Sequence, residues 1–265
     1  MWAGLSQLPS AEKHKGSAVA ELLELRGVQK HFGGVRALEG VDLKLAAGEV
    51  YCIVGPNGCG KSTTLGVISG DVRPTSGSVW FDGVDITGWS PQVIARRGIL
   101  RKFQVPSVCQ ALSVYENLEV ALMCQLTPWQ RMRDRQYLRR LDELLDICHL
   151  QARAGVAAQE LAHGEKQWLE IAMLLAGKSR LLLLDEPTAG MTISETQQTV
   201  ELIKRIAADH ARTVLAIEHD MHFVERLECT VIAMMRGRVL RSGTYAEISK
   251  DPEVCAAYLG TTQDA

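Results

Sequence analysis

The chain has 265 residues, of which 46% are hydrophobic and 23% are charged. This length allows one large α/β domain with a substantial core, or such a domain with an added lobe. The 29 Lys and Arg residues against 31 Asp and Glu residues give a formal net charge of −2. No global basic field therefore favours nucleic acid or an anionic membrane surface as a partner.

Seven scattered cysteines form no CxxC pair and no zinc-like spacing, which is typical of reduced thiols in the cytosol. No apolar run reaches the roughly 18 residues that a membrane-spanning helix needs, and no signal segment is recognisable at the N-terminus. We therefore expect the chain to stay outside the bilayer. Residues 1–20 lack apolar periodicity and are predicted to be a flexible leader, and residues 261–265 a flexible tail.

Short apolar runs predict the strands of a sheet. Val41 to Leu45 alternates with period 2, the pattern of a strand with one wet face. Val50 to Val54, Leu181 to Leu184 and Val214 to Ile217 are continuous apolar runs, which indicate strands buried on both faces of a parallel sheet. Residues 234–240 read as a hairpin.

Helical patterns separate these runs. Arg139 to Leu150 carries apolar residues at spacings of three and four, and Val114 to Leu122 is also helical in pattern. Two long helices between sheet strands are more than a single crossover requires. Residues of about 105–160 are therefore predicted to form an inserted helical lobe.

A glycine-rich segment directly follows the first buried run and precedes a helical stretch, Thr64 to Ser69. Its nine positions are Gly55, Pro56, Asn57, Gly58, Cys59, Gly60, Lys61, Ser62 and Thr63. In this strand, loop and helix context, successive backbone N–H groups can face one anion, and the helix adds its positive end. Lys61 supplies a charge for the β and γ phosphates, and the Ser62 hydroxyl is suited to Mg²⁺. The alternative is a turn that only joins strand to helix.

The loop pattern predicts mononucleotide binding but does not choose between a kinase, a GTPase and an ATPase. Cys59 lies inside it and is a candidate for alkylation. Asp185 and Glu186 follow the second buried run and extend the prediction. Asp185 is suited to hold Mg²⁺ through its water shell, and Glu186 to orient and deprotonate an attacking water. The alternative is that both residues only cap the next turn.

Five motifs in a fixed order make the chain resemble the ATP-binding cassette family over residues of about 21–260. They are the glycine-rich loop, Arg101-Lys102-Phe103-Gln104, Leu161 to Gln167, Leu184 to Pro187, and Glu218-His219-Asp220. The resemblance implies an α/β fold with a P-loop NTPase, RecA-like core, an N-terminal antiparallel β subdomain and an inserted α-helical lobe. It also implies ATP and Mg²⁺ as cofactors and ATP hydrolysis as the activity.

The same resemblance assigns roles to three isolated side chains. Phe32 would stack on adenine, Gln104 would contact Mg²⁺ and the attacking water, and His219 would contact the γ-phosphate. Each has a plainer alternative: Phe32 as a core residue, and Gln104 and His219 as solvated or otherwise satisfied side chains.

In this family the segment around Ala162, Gly164 and Glu165 faces the γ-phosphate held by a partner subunit, which implies a head-to-tail dimer. The family pattern is Leu-Ser-Gly-Gly-Gln, and this chain departs from it at two positions of interest. Ala162 lacks the hydroxyl, and Glu165 replaces an amide by a carboxylate. We expect both changes to weaken the half-site that this segment forms.

Several segments resemble bacterial importer ATPases for branched-chain amino acids, amides and urea. Trp80 to Gly83, Arg101 to Gln104 and His163 to Glu170 resemble most the first ATPase subunit of urea importers. That resemblance implies transmembrane permease subunits, a second ATPase in a heterodimer, a periplasmic solute-binding protein, and a peripheral position at the cytoplasmic face of the inner membrane. The alternatives are an ATPase for branched-chain amino acids or short amides, or a weakly hydrolysing regulatory subunit.

Overall fold

The structure is a computed structural model that describes residues 21–102, 108–123, 135–210 and 212–259. The predicted leader at 1–20, the predicted tail at 261–265 and Gln104 lie outside these ranges. The strands are β1 Glu21–Phe32, β2 Val35–Ala46, β3 Val50–Val54, β4 Ser76–Phe81, β5 Val84–Asp85, β6 Ile99–Lys102, β7 Leu181–Asp185, β8 Thr213–Ile217, β9 Thr230–Met235 and β10 Arg238–Gly243. The helices are α1 Lys61–Ser69, α2 Pro91–Arg97, α3 Val114–Met123, α4 Arg135–Ile147, α5 His163–Ala176, α6 Ile193–His210, α7 Met221–Leu227, α8 Tyr245–Ile248 and α9 Pro252–Leu259.

The central sheet has the strand order β10-β9-β3-β8-β7-β6. Within this sheet, strands β9, β3, β8, β7 and β6 run parallel to one another. Strand β10 is antiparallel and pairs with β9 in the predicted hairpin. The three buried runs of the sequence are the adjacent strands β3, β8 and β7, so the predicted parallel sheet is confirmed. Since parallel strands share one carboxyl edge, the segments that follow β3, β7 and β8 meet there.

The second sheet is antiparallel, in the order β2-β1-β4-β5. The predicted strand at 41–45 is the end of the longer β2, and its alternation places Val41, Leu43 and Leu45 in the core. These residues join one apolar cluster with Leu65 of α1 and Ile53 of β3. The predicted antiparallel subdomain is confirmed, and it covers one face of the central sheet.

Helices α3 to α6 cover the opposite face. Alternate residues of a strand point to opposite faces, and Cys52 and Val54 of β3 pack in the helical cluster while Ile53 packs in the other. Burial on both faces is the reason for the continuous apolar runs. The predicted helix at 139–150 is shifted, because α4 ends at Ile147. His149 then adopts a left-handed conformation (φ 55°), and the Leu150 N–H bonds back to the Leu145 carbonyl.

The last two residues of β6 reach opposite faces of the sheet. The Lys102 ammonium lies 3.4 Å from Glu170 Oε2 on α5, and both side chains are almost fully buried. The preceding residue, Arg101, reaches the face covered by α1. Strand β6 is therefore tied by side chains to helices on both faces.

We expect Lys102→Met to lower the free energy of unfolding by about 3–5 kcal/mol, because it removes the cation beside a buried carboxylate. Adding Glu170→Gln should recover part of that loss, since a neutral amide costs less to bury. Denaturant titration measures both. Lys44→Met is the control: Lys44 pairs with Glu21 at the surface, so its loss should be at most about 1 kcal/mol. Equal losses of unfolding free energy for the two Lys→Met variants would contradict the stabilising role of the buried Lys102–Glu170 pair.

Candidate active site

The glycine-rich loop joins β3 to α1 and is held from outside by two other segments. Gly60 has φ 107°, and a Cβ there would lie 2.6 Å from the Ala37 carbonyl oxygen, so only glycine fits. The turn of the β9–β10 hairpin donates from Gly237 N to the Cys59 carbonyl at 2.9 Å, and β2 donates from Glu39 N to the Gly237 carbonyl at 2.8 Å. The shape of the loop is therefore fixed by its surroundings.

Lys61 begins α1 and its side chain folds back into this loop. Its Nζ donates to the carbonyl oxygens of Gly55 at 2.7 Å and Pro56 at 3.0 Å. Burial lowers the pKa of Lys61, because the charged form loses hydration. Phosphate oxygens are stronger partners for an ammonium than neutral carbonyls are. The side chain is thus placed to exchange these carbonyls for phosphate.

Cys59 does not fit the expectation of an alkylation-sensitive thiol. Its side chain is buried, and burial raises the pKa of the thiol. The reactive form of cysteine is the thiolate, so a buried thiol with a raised pKa reacts slowly. Cys59 serves the loop through its backbone, which donates to the Pro56 carbonyl and accepts from Gly237.

Asp185 ends β7 and is only 3% exposed. Its Oδ2 accepts from Arg101 Nη2 at 2.9 Å, whereas its Oδ1 is buried and has no hydrogen-bond partner among the described residues. A buried carboxylate oxygen left in this way fits a hydrated Mg²⁺ rather than the capping of a turn.

Glu186 follows in a left-handed conformation (φ 48°), which is uncommon for a residue other than glycine. Its N–H donates to the Ile217 carbonyl at 3.0 Å, and its Oε1 lies 3.1 Å from His219 Nε2. Both side chains are partly exposed. Strained backbone of this kind clusters at functional sites. The segments after β7 and β8 therefore present Glu186 and His219 together.

Lys61, Glu186 and His219 line one cleft of about 210 Å³ at the carboxyl edge of the central sheet. Its lining residues are Val35, Arg36, Ala37, Asn57, Gly58, Gly60, Lys61, Ser62, Thr63, Glu186 and His219. Most of the predicted loop and catalytic residues are thus brought together. The contribution of Val35 to Ala37, at the start of β2, carried no signal in the sequence.

Phe32 lies at the end of β1, outside the lining of that cleft. The residue is 49% exposed, so the alternative that it is a core residue is wrong. The Lys30 ammonium lies 4.7 Å from the ring centroid, within the range of a cation–π contact. Phe32 is therefore an exposed aromatic residue beside a lysine rather than part of the core.

The residues Ala162, Gly164 and Glu165 lie at the start of α5 and do not line the cleft. Glu165 Oε2 accepts from Ala162 N at 2.9 Å, and its Oε1 accepts from Arg153 Nε at 2.8 Å. The carboxylate thus caps its own helix and is paired with a cation. The negative charge of Glu165 is therefore paired within its own chain.

The start of α5 is also tied to the segment that follows Glu186. A Cβ on Gly164 would lie 2.5 Å from Glu195 Oε1, so a larger residue there would displace the Glu195 side chain. Glu195 Oε2 accepts from the backbone N and the hydroxyl of Thr192, both at 2.8 Å. His163 Nε2 lies 3.0 Å from the Ala189 carbonyl oxygen. Glu195 was missed in the sequence, although Thr192 and Glu195 have the spacing of a capping box.

A family model described as ABC transporter matches residues 38–189, which is more than half of the chain. The chain belongs to the ABC transporter family. The branched-chain amino acid transport ATP-binding protein BraF of Pseudomonas aeruginosa is 35% identical over 249 residues, covering 90% of this chain and 98% of BraF. The LivG protein of Escherichia coli, of the same description, gives the same identity and coverage. The chain is accordingly an ABC transporter ATPase.

Solved structures agree with this assignment. A nucleotide-free ATP-binding cassette from an ABC transporter matches with a TM-score of 0.79 at 27% identity, covering 90% of this chain and 99% of that one. A dimeric cassette bound to ADP and phosphate matches with a TM-score of 0.73 at 26% identity, covering 84% and 99%. Within the described ranges of this cassette, no helix combines the length and apolar character needed to cross a bilayer.

Glu218 is a residue of the cassette whose role the sequence did not reveal, although a carboxylate directly after an apolar strand was a signal. It is buried, its Oε1 accepts from the Thr188 N–H at 3.0 Å and the Thr188 hydroxyl at 2.6 Å, and its Oε2 accepts from His219 N at 3.2 Å. It therefore joins the segment after Glu186 to the segment that carries His219. Burial raises the pKa of Glu218 above its ordinary value of 4.5.

A raised pKa means that the folded cassette holds the Glu218 proton more tightly than the unfolded chain does. This stabilisation is complete below the ordinary pKa of 4.5 and is lost as the pH rises through the raised value. We expect the parent to lose stability relative to Glu218→Gln as the pH rises from the ordinary value of 4.5 through the raised pKa. Denaturant unfolding at a series of pH values measures the difference. A difference that stays constant with pH would contradict the raised pKa.

Proposed function

We propose that this cassette is the ATP-hydrolysing subunit of a bacterial urea importer, working with ATP and Mg²⁺ at the cytoplasmic face of the inner membrane. The observation that carries the catalytic part is the convergence of Lys61, Ser62, Glu186 and His219 on one cleft, with Asp185 behind it. Groups suited to phosphate binding, to the metal and to the base function would thereby act at one place.

In this proposal the loop from Gly55 to Thr63 cradles the phosphates through its backbone, and Lys61 turns from its carbonyl partners to the β and γ phosphates. Ser62 Oγ would hold Mg²⁺ directly and Asp185 Oδ1 through the water shell of the ion, which when bound neutralises phosphate charge. Phe32 would stack on adenine. Gln104, outside the described residues, keeps its proposed role beside the metal and the attacking water.

Hydrolysis then needs a base and an orienting group. Glu186 would accept the proton of the attacking water as its oxygen bonds to the γ-phosphorus, and the bond from that phosphorus to the bridging oxygen of ADP breaks. His219, 3.1 Å from Glu186 Oε1, would hold the carboxylate and contact the γ-phosphate. The products are ADP and inorganic phosphate.

The partners are proposed from the position of the α5 start. Ala162 and Gly164 do not reach the cleft of their own chain, which suits a composite site with a second ATPase subunit. The matching dimeric cassette bound to ADP and phosphate supports such an arrangement. Separate permease subunits would couple this dimer to transport, with a periplasmic solute-binding protein delivering the cargo.

The cargo has two candidates. The resemblance of Trp80 to Gly83, Arg101 to Gln104 and His163 to Glu170 to urea importer ATPases favours urea. The 35% identity to BraF and LivG, which are described as branched-chain amino acid transport proteins, favours the second candidate. In such a machine the cargo is recognised by other subunits, so the cleft itself does not select it.

Uptake by cells that carry the complete transporter tests activity and cargo together. We expect radiolabelled urea, rather than leucine, to accumulate with the parent, and Glu186→Gln to abolish uptake and phosphate release while ATP still binds, because the base is lost and the cradle is not. Uptake of leucine without uptake of urea would reject urea as the cargo and favour branched-chain amino acids. Equal phosphate release by parent and variant would reject Glu186 as the base and favour a regulatory subunit.

Ala162→Ser should accelerate the half-site that α5 completes. A restored hydrogen bond to a charged phosphate is worth about 1.5–3 kcal/mol, or about 10- to 100-fold in rate where it acts in the transition state. Glu165→Gln is the matched comparison, and we expect little change, because Glu165 is already engaged by Ala162 N and Arg153. Phosphate release by the assembled transporter measures both. Unchanged phosphate release by Ala162→Ser would contradict the proposal that the missing hydroxyl slows this half-site.

A further inference from the structure

Arg101 carries no role in the proposed function, yet its guanidinium is in direct contact with the carboxylate proposed to serve Mg²⁺. Its Nη2 donates to Asp185 Oδ2 at 2.9 Å, and the arginine side chain is only 13% exposed. Arg101 lies opposite Leu183 in the β6–β7 register, so its side chain extends along β7 to reach the strand end.

A second anchor holds the guanidinium on its other side. Arg101 Nη1 lies 3.3 Å from Asp71 Oδ2 and 3.5 Å from the Ser69 hydroxyl, at the end of α1. Ser69 in turn donates to Asp71 Oδ2 at 2.6 Å. The planar fork therefore spans from the end of the helix that carries Lys61 and Ser62 to the end of the strand that carries Asp185.

The two oxygens of Asp185 are divided by this contact. Oδ2 is occupied by the guanidinium, whereas Oδ1 is buried without a hydrogen-bond partner among the described residues. A carboxylate fixed through one oxygen keeps the other in a defined place. Groups that orient a metal-binding carboxylate in this way contribute to metal affinity without touching the metal.

We propose that Arg101 is a positioning residue for Mg²⁺: it orients Asp185 and sets its distance from Ser62 by gripping the end of α1. This inference rests on the proposed function of the cleft. A purely structural ion pair is the competing explanation. It would affect folding and nucleotide binding as a whole, whereas positioning affects the part of nucleotide binding that depends on the cation.

The test uses the purified full chain and measures fluorescent ADP binding as a function of Mg²⁺, and in EDTA without it. We expect Arg101→Lys to raise the Mg²⁺ concentration for half-maximal binding about 10- to 100-fold, the usual range for the loss of an orienting partner. ADP affinity in EDTA should stay unchanged. The EPR signal of free Mn²⁺ in the presence of ADP gives the cation affinity independently of activity.

Arg180→Lys is the matched control, because Arg180 forms a forked pair with Asp82 at the surface, away from the cleft. We expect it to leave both measurements unchanged. Arg101→Gln is the second variant should Arg101→Lys not fold. It keeps an N–H donor but removes the charge and the span to Asp71, and should also raise the Mg²⁺ midpoint.

An unchanged midpoint in a folded Arg101 variant would overturn the inference. So would a parallel loss of affinity in Mg²⁺ and in EDTA, which is the signature of a structural pair. Failure of the proposed function is separable from both results. In that case the parent itself would not bind ADP, or Lys61→Ala would bind it as tightly as the parent.

Discussion

The parallel arrangement of β3, β8 and β7 is the constraint on which the site depends. Their carboxyl ends meet at one edge, so three segments far apart in sequence deliver Lys61, His219 and Glu186 to one cleft. Each strand is buried on both faces, so its position is fixed by packing against both layers of the fold. The rigidity of the cleft is therefore a property of the core beneath it.

The outer strand β6 has a different role, because it carries charge into that core. Arg101 reaches Asp185 and Asp71 on one face, and Lys102 reaches Glu170 on the other. Alternation along a strand makes this division unavoidable for two successive residues. A movement of β6 would therefore disturb both Asp185 at the end of β7 and Glu170 on helix α5. In sequence, β6 directly precedes the segment that carries Gln104, so this linkage lies next to that proposed site residue.

Local features of the sequence predicted the parts of the site that are themselves local. The loop from Gly55 to Thr63 and the pair Asp185 and Glu186 were predicted because strand, turn and residue type are adjacent in the chain. Contacts such as that of Arg101 with Asp185, 84 residues apart, depend on which strands are neighbours, and periodicity does not specify that order. The contact of Glu218 with Thr188, 30 residues away, was missed for the same reason, although Glu218 itself was part of a recognised motif.

Other long-range contacts join the segment after Glu186 to the start of α5. The segment from Glu186 to Thr192 leaves the cleft, and its Ala189 carbonyl oxygen lies 3.0 Å from His163 Nε2 at the start of α5. Thr192 is bonded to Glu195, whose side chain lies directly against Gly164 of α5. Further along, Trp168 on α5 donates to the Thr199 hydroxyl at 2.9 Å. A movement of the α5 start would therefore disturb its contact with Ala189 in the segment after Glu186 and the buried hydrogen bond from Trp168 to Thr199 on α6. If α5 completes the site of a partner, the chemistry in one cleft and the geometry of the other are mechanically linked within a single chain.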